Sequence, residues 1–431
     1  MKNSGVLDRL RRITGEDKQP TQPRDRASER TDLRHRIEAI MTRRPSEKQE
    51  LSKKQPALDE LIAGQEIVTA QGAFFLATER RKAQHCHGTR LVGDVMGLSM
   101  PAAALLANNG DIARCHISEG LFLDTETTGL SGGTGTLAFL IGVGWFEQDT
   151  FVTRQIFIRD FSEERAALHY LTDIVGTKKF LVSFNGKAFD VNLLAARYIL
   201  NKFSNPLEKL PHLDLLFPSR RLCGHRLENS RLVTLEQSLF GIYRDDDIPG
   251  REIPERYFAW LRRRDPRLVV DIFKHNHLDI LSLAVLTAHL SELLAPSPAM
   301  PPTTDPRDLL AAARLLQDRD ENTRAGDILS DLTACDHGPV RLESQRMLSL
   351  LFRRNGDWEQ AVPLWETMIR DNPGDPFAAV ELAKWYEHRC RDFAAAYRIV
   401  STVLEKATSL NGTVKDALVH RLQRLQSHLP C

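Results

Sequence analysis

The stretch "LFLDTETTGLSGG", Leu121 to Gly133, decides how the rest of the chain is read. An apolar run ends on two carboxylates, Asp124 and Glu126, and then turns on glycine. In an extended strand, residues i and i+2 point to the same face, so Asp124 and Glu126 project together while Thr125 points away. Two like charges held side by side raise one another's pKa, and a divalent cation between them removes that cost and keeps both ionised. The pattern therefore predicts a metal-binding strand end.

Two further acidic sites lie downstream. In "VSFNGKAFDVNLLAARY", Asn185 follows a buried strand, and Asp190 falls in the first turn of a helix predicted from about Ala188 to Lys202. Phe189, Leu193 and Leu194 are expected on its packing face. In "DIFKHNHLDILSLAVLTAHL", spacing of four places His275 and Asp279 one turn apart on a helix predicted from about Arg267 to Leu294. Ile272, Ile280, Leu283 and Leu286 are expected to face inward there. His277, two residues from Asp279, cannot share its face and is expected to meet solvent or substrate.

Around these sites the chain divides into expected segments. Residues 1–54 carry 15 Lys and Arg against 9 Asp and Glu, a surplus of 6. Residues 1–55 are read as a disordered basic arm, with a polyanion as its candidate partner. Short apolar pieces over 56–117 predict a lead-in β segment. Over 118–295, the runs "EGLFLD" and "TLAFLIGVGWFEQDTFVTRQIFI" give three strands, "SEERAALHYLTDIVG" a helix capped by Ser162, and "KFLVSF" another strand. This order predicts a mixed α/β sheet. Pro206 to Arg267 is less regular and basic. The composition of "APSPAMPPTTDP" predicts a linker over 296–306. Over 307–431, two segments, Asp357–Asp371 and Asp392–Ala407, recur at an offset of 35 residues, which suggests tetratricopeptide-like helical repeats able to dock a protein partner.

Composition removes several classes. At 431 residues the chain exceeds the usual size of one hydrophobic core, and 42% apolar content is ordinary for a soluble protein. No apolar run reaches the roughly 18 residues of a membrane span, and the charged start lacks a signal-peptide core, so a cytoplasmic protein is expected. Six scattered cysteines give no disulfide framework, and "QHCHG" and "RCHI" lack the paired close ligands of structural zinc. The glycines Gly133 and Gly135 do not make a dinucleotide site, because the apolar run after them reads as a strand where that motif needs a helix. Asp214 in "HLDLLF" offers one more acid, for which a structural role is preferred over a place near the metal site.

Taken in order, "DTETTGL", "FNGKAFDVNLL" and "HNHLDILSL" resemble the motifs of the DEDD exonuclease superfamily, which has a ribonuclease H-like fold. "FLDTETTGLSGGTGTLAFLIG" and "DIPGREIPERYFAWL" look specifically like the YprB-type ribonuclease H-like proteins. The resemblance covers about residues 55–295. It implies metal binding by Asp124, Glu126, Asp190 and Asp279, and a general-base role for His275. It also implies two Mg²⁺ or Mn²⁺ ions and hydrolysis of single-stranded or frayed nucleic acid from a 3′ end. Thr128, Leu130, Asn185 and Lys187 are the candidate substrate contacts, with Arg220, Arg221, Arg226 and Arg231 as further candidates for phosphate. One departure stands out: superfamily members with a histidine usually have four residues between it and the last Asp, whereas here there are three, the spacing of members with a tyrosine. The rival reading is a nucleic-acid-binding or scaffolding protein with a vestigial acidic site. DNA and RNA are equally compatible with these motifs.

Overall fold

The computed structural model describes residues 56–129, 135–245, 247–295, 304–407 and 411–429. The basic arm, Leu130, Gly133 and most of the expected linker lie outside the described residues. The described chain falls into two units, 1–295 and 296–431.

In the first unit the lead-in strands β1 (Gly64–Thr69) and β2 (Gly72–Lys82) form a hairpin, followed by a small ribbon of β3 (Cys86–His87) and β4 (Arg90–Leu91). Helix α1 (Met100–Ala107) leads to β5 (Gly120–Thr127), β6 (Ala138–Glu147) and β7 (Thr150–Phe157). Helix α2 (Glu164–Val175), strand β8 (Phe180–Ser183), helix α3 (Asp190–Leu200), strand β9 (His212–Asp214) and helix α4 (Leu216–Leu222) follow. The unit closes with α5 (Ile253–Arg263) and the long α6 (Val270–Glu292). The seven-stranded sheet has the order β1-β2-β7-β6-β5-β8-β9. β5 pairs antiparallel with β6, while β8 and β9 continue parallel to β5. The lead-in hairpin joins this sheet through β2 and β7.

The central strand β6 is buried along nearly its whole length, so both sheet faces are covered and its sequence reads as a continuous apolar run rather than an alternating one. Two glycines on one face of β6, Gly142 and Gly144, let α6 approach closely. A Cβ at Gly142 would lie 2.2 Å from Asn276 Oδ1, and one at Gly144 would lie 2.6 Å from Ile280 Cγ2. Gly142 pairs with Asp124 on one side and with Gln155 on the other. The α6 helix is therefore seated over the row that begins at the first candidate carboxylate.

The irregular basic region is more ordered than its sequence suggests. Tyr257 of α5 stacks on Phe139 at 3.9 Å between centroids and donates its hydroxyl to Ile158 O at 2.8 Å. Ile248, Ile253, Tyr257 and Trp260 enter the same core as the sheet. At α2 the expected cap is corrected: Asp160, not Ser162, is the capping residue of the turn Phe161–Glu163, accepting from Ser162 N–H at 3.0 Å.

The second unit is helical, with α7 (Pro306–Gln317), α8 (Asn322–Leu332), α9 (Gly338–Asn355), α10 (Trp358–Asp371), α11 (Pro376–Trp385), α12 (Phe393–Lys406) and α13 (Gly412–Gln426). Each helix packs on the next. Pro363 sits inside α10, and Trp358 stacks on Trp385 at 5.0 Å. No helix among the described residues is long and apolar enough to cross a membrane.

Gly142→Ala tests the seating of α6. Forcing a methyl into that contact is expected to lower stability by about 1–3 kcal/mol in guanidinium denaturation, the usual range for overpacking a filled interior.

Candidate active site

Alternation along β5 brings Asp124 and Glu126 to the face covered by α6. The partner on that helix is Asn276, fully buried, whose Nδ2 donates to Asp124 Oδ2 at 2.9 Å. Its Oδ1 accepts from Gln155 Nε2 at 3.0 Å, and Gln155 also donates to Phe273 O at 2.8 Å. One amide thus spans the row Asp124, Gly142 and Gln155. Sequence reading missed Asn276, although it stands four residues from both Ile272 and Ile280, in the middle of an apolar stripe.

One turn of α6 carries His275 and Asp279 to the same place. His275 Nε2 lies 3.5 Å from Asp279 Oδ2 and 4.0 Å from Glu126 Oε1. The ligand atoms of Glu126, His275 and Asp279 all fall within 4.8 Å of one another. The spacing of three intervening residues is thus one helical turn with both side chains on the cluster side.

Asp190 arrives from the opposite flank, at the first position of α3, where the helix N-terminus favours a carboxylate. Thr125, pointing away from Asp124 as expected, donates its hydroxyl to Asp190 Oδ1. Asp214 has the structural role foreseen for it. Buried at the end of β9, it accepts from the backbone N–H groups of Asn185 at 2.7 Å, Lys187 at 3.0 Å and Leu216 at 3.1 Å. It thereby ties down the loop that delivers Asp190, in which Asn185 takes φ +63°.

The electrostatics describe a site short of positive charge. Burial raises the Asp124 carboxyl well above the carboxylate range, and the charges of Asp279, Glu126 and Asp190 push it further. Burial also pushes Glu126 up to about 8, with His275 opposing and Asp279 and Asp190 adding to the rise. Asp190 is raised to about 6 by burial, against the Thr125 hydrogen bond. Glu126 Oε1 is buried with no hydrogen-bond partner among the described residues. Burial alone would discharge His275, yet its hydrogen bond to Asp247 and the charges of Asp279 and Glu126 outweigh it and raise the imidazole to about 9.

Asp247 was not singled out from the sequence. Both its oxygens lie 2.9 Å from His275 Nδ1. Nor was Arg244, buried and in contact with Asp279 Oδ1. Both fall in a stretch without periodicity, where spacing carries no signal.

Other expected residues are placed differently. His277 is buried and faces Glu79, Nε2 to Oε2 at 3.0 Å, which corrects the expectation that it meets solvent or substrate. The lead-in strand β2 covers that side of α6. Phe189 is half exposed rather than on the packing face of α3, where Leu193 and Leu194 are buried. Thr128 is buried, and its hydroxyl accepts from Leu137 N–H at 2.9 Å, the turn-packing role open to a residue at a strand end. Lys187, Arg220 and Arg231 are exposed.

Residues 121–291 match the family described as the RNase_H superfamily, RNase_H_2. The chain is also 33% identical over 312 residues to the uncharacterized protein YprB of Bacillus subtilis (strain 168), across 71% of this chain and 74% of that relative.

A pH dependence follows from these shifts. Between the ordinary value of 4.5 and its raised value of about 8, Glu126 keeps a proton in the folded state that the unfolded chain has released. Stability of the metal-free protein therefore falls as pH rises through that window. His275 acts in the same direction, since the stability from its raised pKa is complete below 6.5 and lost as pH rises through about 9. Thermal melts of the metal-free protein and of Glu126→Gln are expected to converge near pH 5, with the variant melting higher by pH 8.

Proposed function

The chain belongs to the YprB-type family of ribonuclease H-like proteins, and from that membership and its acidic cluster we propose that it is a divalent-metal-dependent nuclease. The observation that carries this reading is the meeting of Glu126, His275 and Asp279, whose ligand atoms lie within 4.8 Å of one another, beside Asp124 on the strand face of Glu126, with burial and the charges of Asp279 and Asp190 raising both Asp124 and Glu126. Crowding part-buried acids around the buried Glu126, one of whose oxygens has no hydrogen-bond partner among the described residues, is costly unless cations are held there.

The donor set fits Mg²⁺ or Mn²⁺: carboxylate oxygens, hard ligands, with Asp124 and Asp279 on opposite sides of the contact between β5 and α6. A pair of such ions, when bound, polarises a phosphate and eases ionisation of water and departure of the leaving oxygen. The protein's own groups do the rest. Thr125 and Asn276 hold Asp190 and Asp124 in fixed orientations. His275 gives Nδ1–H to Asp247 and presents Nε2 to the cluster. Neutralisation of Glu126 and Asp279 weakens the attraction that keeps the ring protonated, leaving Nε2 free to accept a proton from water.

The substrate is a single-stranded or frayed nucleic acid, cleaved from its 3′ end. Phe189, half exposed beside Asp190, supplies an aromatic face for an unstacked base, and exposed Lys187 a charge for phosphate. Such contacts select neither sequence nor sugar.

End-labelled single-stranded DNA and RNA, incubated with Mg²⁺, Mn²⁺ or EDTA, test the reading. EDTA and Asp124→Asn are each expected to abolish cleavage, and His275→Ala to slow it by about 10²–10⁴-fold while Mn²⁺ binding persists. Cleavage that survives EDTA, or inactivity on both polymers with either metal, would contradict it.

A further inference from the structure

Resting on the nuclease reading, we infer that Arg244 and Asp247 form a built-in clamp that sets the orientations of Asp279 and His275 before any ligand arrives. The two residues sit three apart on one loop and grip two residues four apart on α6. Arg244 Nη2 contacts Asp279 Oδ1, and Asp247 takes His275 Nδ1. Arg244 Nη1 also reaches Asp247 Oδ2 at 3.3 Å, so the halves of the clamp are joined.

The guanidinium cannot easily turn. Its Nε donates to Glu236 Oε2 at 2.7 Å, and Nη2 contacts Glu236 Oε1. Glu236 is fully buried at the start of a π-helical turn, Glu236–Phe240, and its Oε1 also accepts from the Ser282 hydroxyl. Having given its proton to Glu236, Ser282 is left to accept from His87 Nε2–H across 2.7 Å. Burial holds His87 down to about 4, consistent with a neutral ring in that role. A chain of contacts thus runs from the lead-in ribbon through Ser282 and Glu236 to Arg244, and from there to Asp279.

A buried ion pair serving only to join a loop to a helix is readily replaced by apolar side chains. Here the pair instead ends on a carboxylate and an imidazole of the acidic cluster. With Oδ1 engaged by Arg244, Asp279 keeps Oδ2 turned toward His275. With Nδ1 engaged by Asp247, His275 keeps Nε2 toward Glu126 and Asp279. Arg244 and Asp247 are positioning residues in this scheme, acting through their partners.

The test uses the full chain, with Mn²⁺ affinity from titration calorimetry read beside kcat and KM on labelled single-stranded DNA or RNA. Arg244→Met is expected to weaken Mn²⁺ binding by about 10–100-fold, the usual cost of losing a group that orients a metal ligand. Asp247→Ala is expected to lower kcat by a similar factor with KM and Mn²⁺ affinity unchanged. Should Arg244→Met fail to fold, Arg244→Lys, which keeps the charge but loses the fork, is expected to show the same weakening. Mn²⁺ binding as tight as or tighter than wild type in a folded Arg244 variant would make Arg244 a staple or a competitor for Asp279 and overturn the clamp. Full kcat in Asp247→Ala would overturn its other half. Failure of the wild type to bind Mn²⁺ would instead remove the nuclease reading, and the clamp with it.

Discussion

The close approach of α6 to the sheet is the constraint on which the rest depends. It requires glycine at Gly142 and Gly144, because a side chain at either position would collide with the helix. It leaves a slot in which Asn276 bridges Asp124 and Gln155 across the empty Gly142 position. That seating is what brings His275 and Asp279 of the helix to Glu126 of the strand. A hydrogen-bonded amide at the centre of the contact fixes helix register as well as distance, because any slip leaves buried polar groups unpaired.

On this scaffold the protein concentrates negative charge where water is scarce. Carboxylates in such a place retain protons unless positive charge is supplied. The described residues offer two sources, Arg244 and the imidazole of His275, and both already belong to ion pairs. Their geometry pins Asp279 on one side and leaves Glu126 Oε1 without a hydrogen-bond partner among the described residues on the other. The unevenness of that compensation, direct contact with Arg244 at Asp279 but only the more distant imidazole of His275 at Glu126, is what gives the cluster its appetite for a cation.

Much of this was legible in the sequence because local periodicity carried it. Alternation in "FLDTETT" placed Asp124 and Glu126 together, and spacing of four placed His275 with Asp279. A mixed α/β sheet followed from the order of strands and helices, and its ribonuclease H-like character from the resemblance of the three motifs. What periodicity cannot express is contact between distant segments. Arg244 and Asp247 lie in a loop, and nothing nearby indicates that they fold against α6. Asn276 broke an apolar stripe, a visible irregularity, yet its partner Gln155 lies on a strand whose pairing only the folded sheet reveals. His277 misled for a related reason: the strand that covers it, β2, belongs to the lead-in segment, which the sequence set apart from the sheet it joins.

The most direct measurement of the central claim is anomalous X-ray scattering from crystals soaked in Mn²⁺. The account predicts scattering peaks in contact with the carboxylates of Asp124, Glu126 and Asp279. Crystals saturated with the ion but showing no peak there, or showing peaks only at surface acids elsewhere, would contradict it.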